Sequence, residues 1–261
     1  MAFVIDLLPA FADNYIYLLG DTELGLAMVV DPGDADVVKR GLQKRDWHLT
    51  LILNTHHHND HVGGNAVLKQ AYGAAIIGPH AERAKIGNLD RAVSDGDTVT
   101  FSDLRAKIIG VPGHTAGHIA FHFPQLDALF CGDALFALGC GRIFEGTAAT
   151  TWESLQKLRA LPPETKIYCG HEYTEENARF ALVLEKDNVA LLQKLRQVKN
   201  LRQQGAPTLP TLLADERRLN PFLRVDQPDF QAALTRQGFP ADGVAPAAIL
   251  AALRAAKDRF Q

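Results

Sequence analysis

The sequence predicts an α/β fold: two β-sheets packed face to face with helices outside, followed by a smaller all-helical region. Two observations carry this reading. Up to about residue 170, short apolar runs ending in Gly or in Asp-Pro-Gly recur in two series, each accompanied by segments of helical spacing. From Tyr173 onward the strand signals stop and long stretches of helical periodicity take over.

In the first series, "FVIDLL", "NYIYLLG" and "LAMVVDPG" read as strands closed by turns. "DADVVKRGLQKR" places Val37, Val38 and Leu42 at helical spacing. "LTLILNT" is a buried strand, "NAVLKQAYG" a helix closed by Gly73, and "AAIIG" a further strand. The second series comprises "DTVTF", "RAKIIGVPG", "IAFHFP" and "DALFCGD". "TTWESLQKLRALPP" then reads as a helix with a Thr cap, Glu153 in its first turn and a Pro stop. "KIYCG" is the last strand expected. Beyond it, "TEENARFALVLEKDNVALLQKLRQVKNLRQQG" and "APAAILAALRAAKDRF" are helical, and Pro207, Pro210, Pro221 and Pro228 interrupt the connection between them. The domain boundary is expected at Tyr173, and no internal repeat is visible.

The chain has 261 residues and a formal net charge of -3, so it has no general attraction to nucleic acid or an anionic membrane. No apolar run reaches the length of a membrane span, and the N-terminal stretch lacks the pattern of a secretory signal. Cys131, Cys140 and Cys169 are too few for a disulfide framework, as expected of a cytoplasmic protein.

Chemistry concentrates in "LILNTHHHNDHVGGN", where His56, His58, Asp60 and His61 follow an apolar strand. Imidazole and carboxylate are ligands for Zn, Mn or Fe(II). A strand-to-helix loop can turn His56 and His58 toward one point and Asp60 with His61 toward an adjacent one, leaving His57 pointing away. Four such ligands begin two metal sites and complete neither. Other strand ends offer the remainder: His114 in "GVPGHTAGH", Asp133 in "LFCGDALF" and His171 in "KIYCGHEYT". Each alone reads as an ordinary turn or surface residue; together they fill two sites sharing one carboxylate. His48, His80 and His122 have no such context, and His118 is close enough for a supporting hydrogen bond.

On these residues the sequence resembles the metallo-β-lactamase superfamily, whose signature is His-x-His-x-Asp-His. Within it, "THHHNDHVGGN", "PGHTAGH", "FCGDALFALGCGRIFEGT", "YCGHEYTEENARFA", "NPFLR" and "LRAAKDRF" are similar to the glyoxalase II (hydroxyacylglutathione hydrolase) family along essentially the whole chain. The resemblance implies a four-layer αββα sandwich over residues 1–172 and an α-helical, glutathione-thioester-binding domain over 173–261. It implies His56, His58 and His114 at one metal, Asp60, His61 and His171 at the other, and Asp133 bridging them. Two divalent ions, Zn above Fe or Mn, are then the cofactors, and Asp60 and Asp133 serve the chemistry directly. The implied reaction is hydrolysis of S-D-lactoylglutathione to D-lactate and glutathione, the second step of methylglyoxal detoxification. Arg142, Phe144, Tyr173, Arg254 and Lys257 fall on the family's glutathione-binding positions. Arg254 and Lys257 lie three apart on a helix and share a face, which taken alone reads as a solvated one. Some members carry Lys and Tyr where this chain has Arg142 and Phe144, so the charge survives and the hydroxyl is lost. Asn59 stands where several relatives have an aromatic residue.

A monomer with a small-molecule substrate, and with no nucleic-acid or membrane partner, is the expectation. The alternatives are a mono-iron persulfide dioxygenase and another ester or lactone hydrolase on the same scaffold.

Overall fold

A computed structural model describes residues 2–260, which form two compact units. The first comprises the chain up to Gly110 together with Thr115–Gly132; the second comprises Val111–His114 and the chain from Asp133 onward.

The first unit holds a six-stranded mixed sheet in sequential order. Strands β1 (Phe3–Ala10), β2 (Asn14–Asp21) and β3 (Leu26–Val30) are antiparallel. β3 then runs parallel to β4 (His48–Leu53), β4 to β5 (Ala75–Pro79), and β5 to the short β6 (Arg91–Val93). Parallel neighbours need a crossover. Helix α1 (Ala35–Arg45) supplies it between β3 and β4, capped by the Asp34 carboxylate on the Asp36 and Val37 amides. After β4 come a single turn, α2 (Asn59–Val62), and α3 (Asn65–Tyr72), which Gly73 ends at φ 69°. Val38, Leu42 and Leu68 of the helices pack on Leu18, Val29, Ile52 and Ile76 of the sheet. A 3-10 turn, His80–Glu82, and the one-turn α4 (Arg83–Ile86) link β5 to β6.

A second, antiparallel group follows: β7 (Thr98–Phe101), β8 (Leu104–Gly110), β9 (Ile119–Phe123) and β10 (Ala128–Gly132). The Tyr17 ring of β2 meets Phe130 of β10 at 5.5 Å, so the two sheets pack through their inner faces. Strand β9 is buried along its whole length rather than alternating, because both its faces are covered.

In the second unit, β11 (Leu135–Phe136) and β12 (Gly139–Cys140) form a tight hairpin directly after Asp133. Helix α5 spans Ala148–Arg159, and its cap is Thr147, ahead of the Thr expected, because Thr147 and Thr150 form a reciprocal capping box. β13 (Lys166–Cys169) is followed by α6 (Thr174–Leu184) and α7 (Val189–Gln203). The expectation of no strand beyond β13 is corrected by β14 (Thr211–Leu212), two residues paired antiparallel with β13. So short a strand leaves no periodicity to read. Helices α8 (Leu213–Leu219), α9 (Pro228–Arg236) and α10 (Pro246–Asp258) complete the unit. Leu138, at the hairpin tip, buries itself among Ala178, Ala181, Leu191 and Leu219. Among the described residues no helix is long and apolar enough to cross a membrane.

Candidate metal centre

In the first unit the ligand-type residues sit at the carboxyl end of β4, beside the carboxyl end of its parallel neighbour β3. That adjacency brings in Asp31, which sequence reasoning read only as part of an Asp-Pro-Gly turn. The buried Asp31 carboxylate accepts from the Thr55 amide at 2.8 Å, the Thr55 hydroxyl at 2.6 Å and His61 Nδ1 at 3.1 Å. Because the Thr55 proton points to Asp31, Thr55 Oγ1 accepts from His56 Nδ1 at 3.0 Å. One carboxylate thereby fixes two imidazoles as Nδ1–H tautomers, leaving a lone pair on Nε2 of each. Asp31, His56 and His61 form a wholly buried group whose donor atoms lie within 4.8 Å of one another. With its oxygens serving Thr55 and His61, Asp31 orients both imidazoles, His61 directly and His56 through Thr55. The signal that could have found it was an acid ending an apolar strand, the same format as Asp133.

His56 Nε2 lies 3.1 Å from His58 Nδ1, a spacing at which two ring nitrogens share a proton or a cation. Asp60 and His61 belong to α2 rather than to a loop, and Asp60 Oδ2 lies 3.4 Å from His61 Nε2. Asn14 donates to that same Asp60 oxygen at 2.8 Å. His118 stacks on His56 at 4.6 Å and donates from Nδ1 to its neighbour's carbonyl on Ile119. His57 turns away, as expected, onto Glu82 at 2.8 Å. A β-carbon at Gly33 would sit 1.9 Å from the Asp60 carbonyl oxygen, so Gly33→Ala must push the α2 turn outward. We expect about 1–3 kcal/mol of lost stability, read by thermal melting, together with weaker metal binding.

In the second unit three donors converge on their own. His114 Nδ1 donates to the Arg142 carbonyl at 2.9 Å, which leaves its Nε2 as the acceptor. That Nε2 is 3.4 Å from Asp133 Oδ2, and His171 Nε2 is 3.3 Å from the same oxygen. Two imidazoles around one carboxylate oxygen is the donor chemistry that a bridging ligand needs. The hairpin after Asp133 is held from behind by buried side chains. Asn177 donates to the Ala137 carbonyl, Asn220 to those of Phe136 and Gly139, and Glu216 accepts from the Leu138 amide at 2.7 Å.

The remaining sequence-predicted residues all lie in this unit. Tyr173 stacks on His171 at 4.9 Å, and Phe144, 59% exposed, leans on His114 at 5.2 Å. Arg254 donates to the Cys140 carbonyl at 2.7 Å and pairs with Asp258, which also faces Arg142 at 3.5 Å. Lys257 pairs with Glu176. Arg254 and Lys257 are only 8% and 7% exposed, so the solvated-face reading of this pair is corrected: α10 turns them inward. Burial pushes the Cys140 thiol up to about 11 despite the nearby Arg254 cation, and burial raises Cys169 further. Neither is a thiolate ligand near neutrality.

Residues 11–171 match the model of the metallo-beta-lactamase superfamily, and residues 172–260 that of the hydroxyacylglutathione hydrolase C-terminus. A hydroxyacylglutathione hydrolase of Methylococcus capsulatus is 47% identical over 97% of both chains. The chain belongs to the hydroxyacylglutathione hydrolase family. These are thioester hydrolases, and the His/Asp groups of this chain are consistent with a binuclear metal site. The fold is also that of the BLEG-1 B3 metallo-beta-lactamase crystal structure (TM-score 0.66, 20% identity, 84% of this chain and 99% of that one). A crystal structure of ETHE1 from Myxococcus xanthus aligns with TM-score 0.64 at 27% identity, covering 96% of this chain and 99% of that one. The sandwich and the helical C-terminal region are therefore as the sequence predicts.

Proposed function

We propose that the chain hydrolyses S-D-lactoylglutathione and related 2-hydroxyacylglutathiones to the 2-hydroxy acid and glutathione, using two divalent cations. His56, His58 and His114 would hold one, Asp60, His61 and His171 the other, and Asp133 both. The donor set fits such ions: His56, His61 and His114 each have Nδ1 committed to a protein acceptor, which presents Nε2 as a ligand. That is the observation that carries the reading. When bound, a cation pair polarises the thioester carbonyl and lowers the pKa of water. Zn, Fe and Mn all accept these ligands, and we favour Zn.

The protein's own part is orientation. Asp31 and the Arg142 carbonyl hold the imidazoles in their ligating tautomers, and Asp60 and Asp133 offset the cationic charge. The flanking rings of Phe144 and Tyr173 offer apolar contact to the thioester; Phe144, lacking a hydroxyl, adds nothing more. Arg142, Arg254 and Lys257 supply positive charge for the glutathione carboxylates. The leaving thiolate is a modest base, so no dedicated general acid is required. We place residues 1–172 as the catalytic domain and 173–261 as the substrate-binding domain. A cytoplasmic location is in keeping with three buried cysteines free of disulfides, and we take the chain as a monomer.

The test is loss of thioester absorbance from S-D-lactoylglutathione. Hydrolysis abolished by chelation and restored by Zn supports the proposal. Oxygen uptake with a persulfide substrate and one iron per chain would replace it with the dioxygenase reading. The Arg142 side chain is 64% exposed, so Arg142→Ala should leave the fold intact. It should raise KM several-fold with kcat nearly unchanged, as loss of uniform substrate binding does; steady-state kinetics check it.

A further inference from the structure

Glu82 lies in the 3-10 turn between β5 and α4 and is only 2% exposed. A buried carboxylate is costly unless its oxygens are hydrogen-bonded. Its carboxylate oxygens bind two other segments. Oε2 takes His57 Nδ1 at 2.8 Å; Oε1 takes the Thr115 hydroxyl and, at 2.9 Å, the Gly117 amide. His57 stands between His56 and His58. Thr115 directly follows His114, and Gly117 precedes His118, whose ring stacks on His56. The fit is close: a β-carbon at Gly117 would lie 2.5 Å from Glu82 Cγ and 2.8 Å from Ala81 Cβ.

We propose that Glu82 is a positioning residue for the metal centre, tying the backbone of the 56–58 segment to that of 115–118. The inference rests on the metal reading above and extends it to a group that touches no ligand ring. The His57 ring in turn meets the His58 ring at 4.9 Å. Holding His57 on Glu82 therefore fixes the ring against which His58 packs. Asp31 sets which imidazole nitrogen ligates; Glu82 sets where the backbone presents those imidazoles.

The experiment compares Glu82→Ala, Glu82→Gln and Thr115→Val in the full chain. Zn affinity is measured by competition with a chromophoric chelator, with the absorption spectrum of the Co(II)-substituted protein and the melting of the metal-free protein alongside. Glu82→Ala should bind metal about 10–100-fold more weakly and shift the Co(II) bands, with the metal-free far-ultraviolet dichroism unchanged. Glu82→Gln should fall between, because its carbonyl oxygen still accepts from Thr115 and Gly117 while its amide cannot accept from His57. Wild-type affinity and spectrum in Glu82→Ala, even with a lowered melting temperature, would overturn the proposal by leaving only a structural role. If Glu82→Ala does not fold, Glu82→Gln and Thr115→Val decide it by the same readouts. No thioester enters these measurements. Wild-type protein that binds metal but leaves S-D-lactoylglutathione intact would sink the proposed reaction and not this inference.

Discussion

Asp133→Ala should abolish turnover, lowering kcat/KM by about a thousandfold or more, while the chain stays soluble and folded. The carboxylate oxygen stands 3.4 Å from His114 Nε2 and 3.3 Å from His171 Nε2, so it is placed to serve both imidazoles at once. A metal contributes several kcal/mol of transition-state stabilisation, and each 1.36 kcal/mol is tenfold in rate, which sets the size. The fold should survive because what the chain packs against at this point is backbone. A β-carbon at Gly141 would lie 1.9 Å from the Asp133 carbonyl oxygen, an atom that alanine keeps. Thioester absorbance and a dichroism spectrum check both halves. Near-normal activity would contradict the bridging role, and Asp133→Asn, which keeps the shape without the charge, should lose less.

Asp31→Ala should cost stability and metal affinity together. The substitution strands the Thr55 amide and the His61 Nδ1–H, each buried donor costing about 1–3 kcal/mol. It also places alanine at φ 50°, a region that favours Gly, Asn and Asp. The melting temperature should fall by roughly 5–10 °C. Asp31→Asn separates the effects. Asparagine accepts the left-handed backbone and can still take one Thr55 bond, but its amide cannot accept from His61. We expect this variant to fold near wild type and bind Zn about 10–100-fold more weakly. Chelator competition and thermal melting are the checks; unchanged affinity in Asp31→Asn would remove Asp31 from the centre.

How far the sequence could be read follows from how local each signal is. The candidate ligands were visible because strand-end His and Asp residues advertise themselves next to apolar runs. Helix α1 between β3 and β4 was legible from the helical spacing of Val37, Val38 and Leu42, though not the parallel pairing it permits. Asp31 was half legible: an acid ending an apolar strand shows in the sequence, but its partners come from two carboxyl ends lying side by side, a relation between segments that no single window contains. Glu82 was hidden in the same way, its partners being 25, 33 and 35 residues away. Strand β14 and the hairpin β11–β12 escaped for a different reason: two-residue strands have no periodicity, and their pairing depends on buried polar side chains such as Asn220 and Glu216. Burial of Arg254 and Lys257 depends on what α10 packs against, whereas their spacing shows only that they share a face.

The central claim is that catalysis needs two cations held by these seven side chains. Its most direct measurement is activity against equivalents of Zn added back to metal-free enzyme, with bound metal counted in parallel. The account predicts no thioester hydrolysis without metal and full activity as occupancy reaches two ions per chain. Hydrolysis that persists in metal-free protein, or that saturates with a single ion bound, would contradict it.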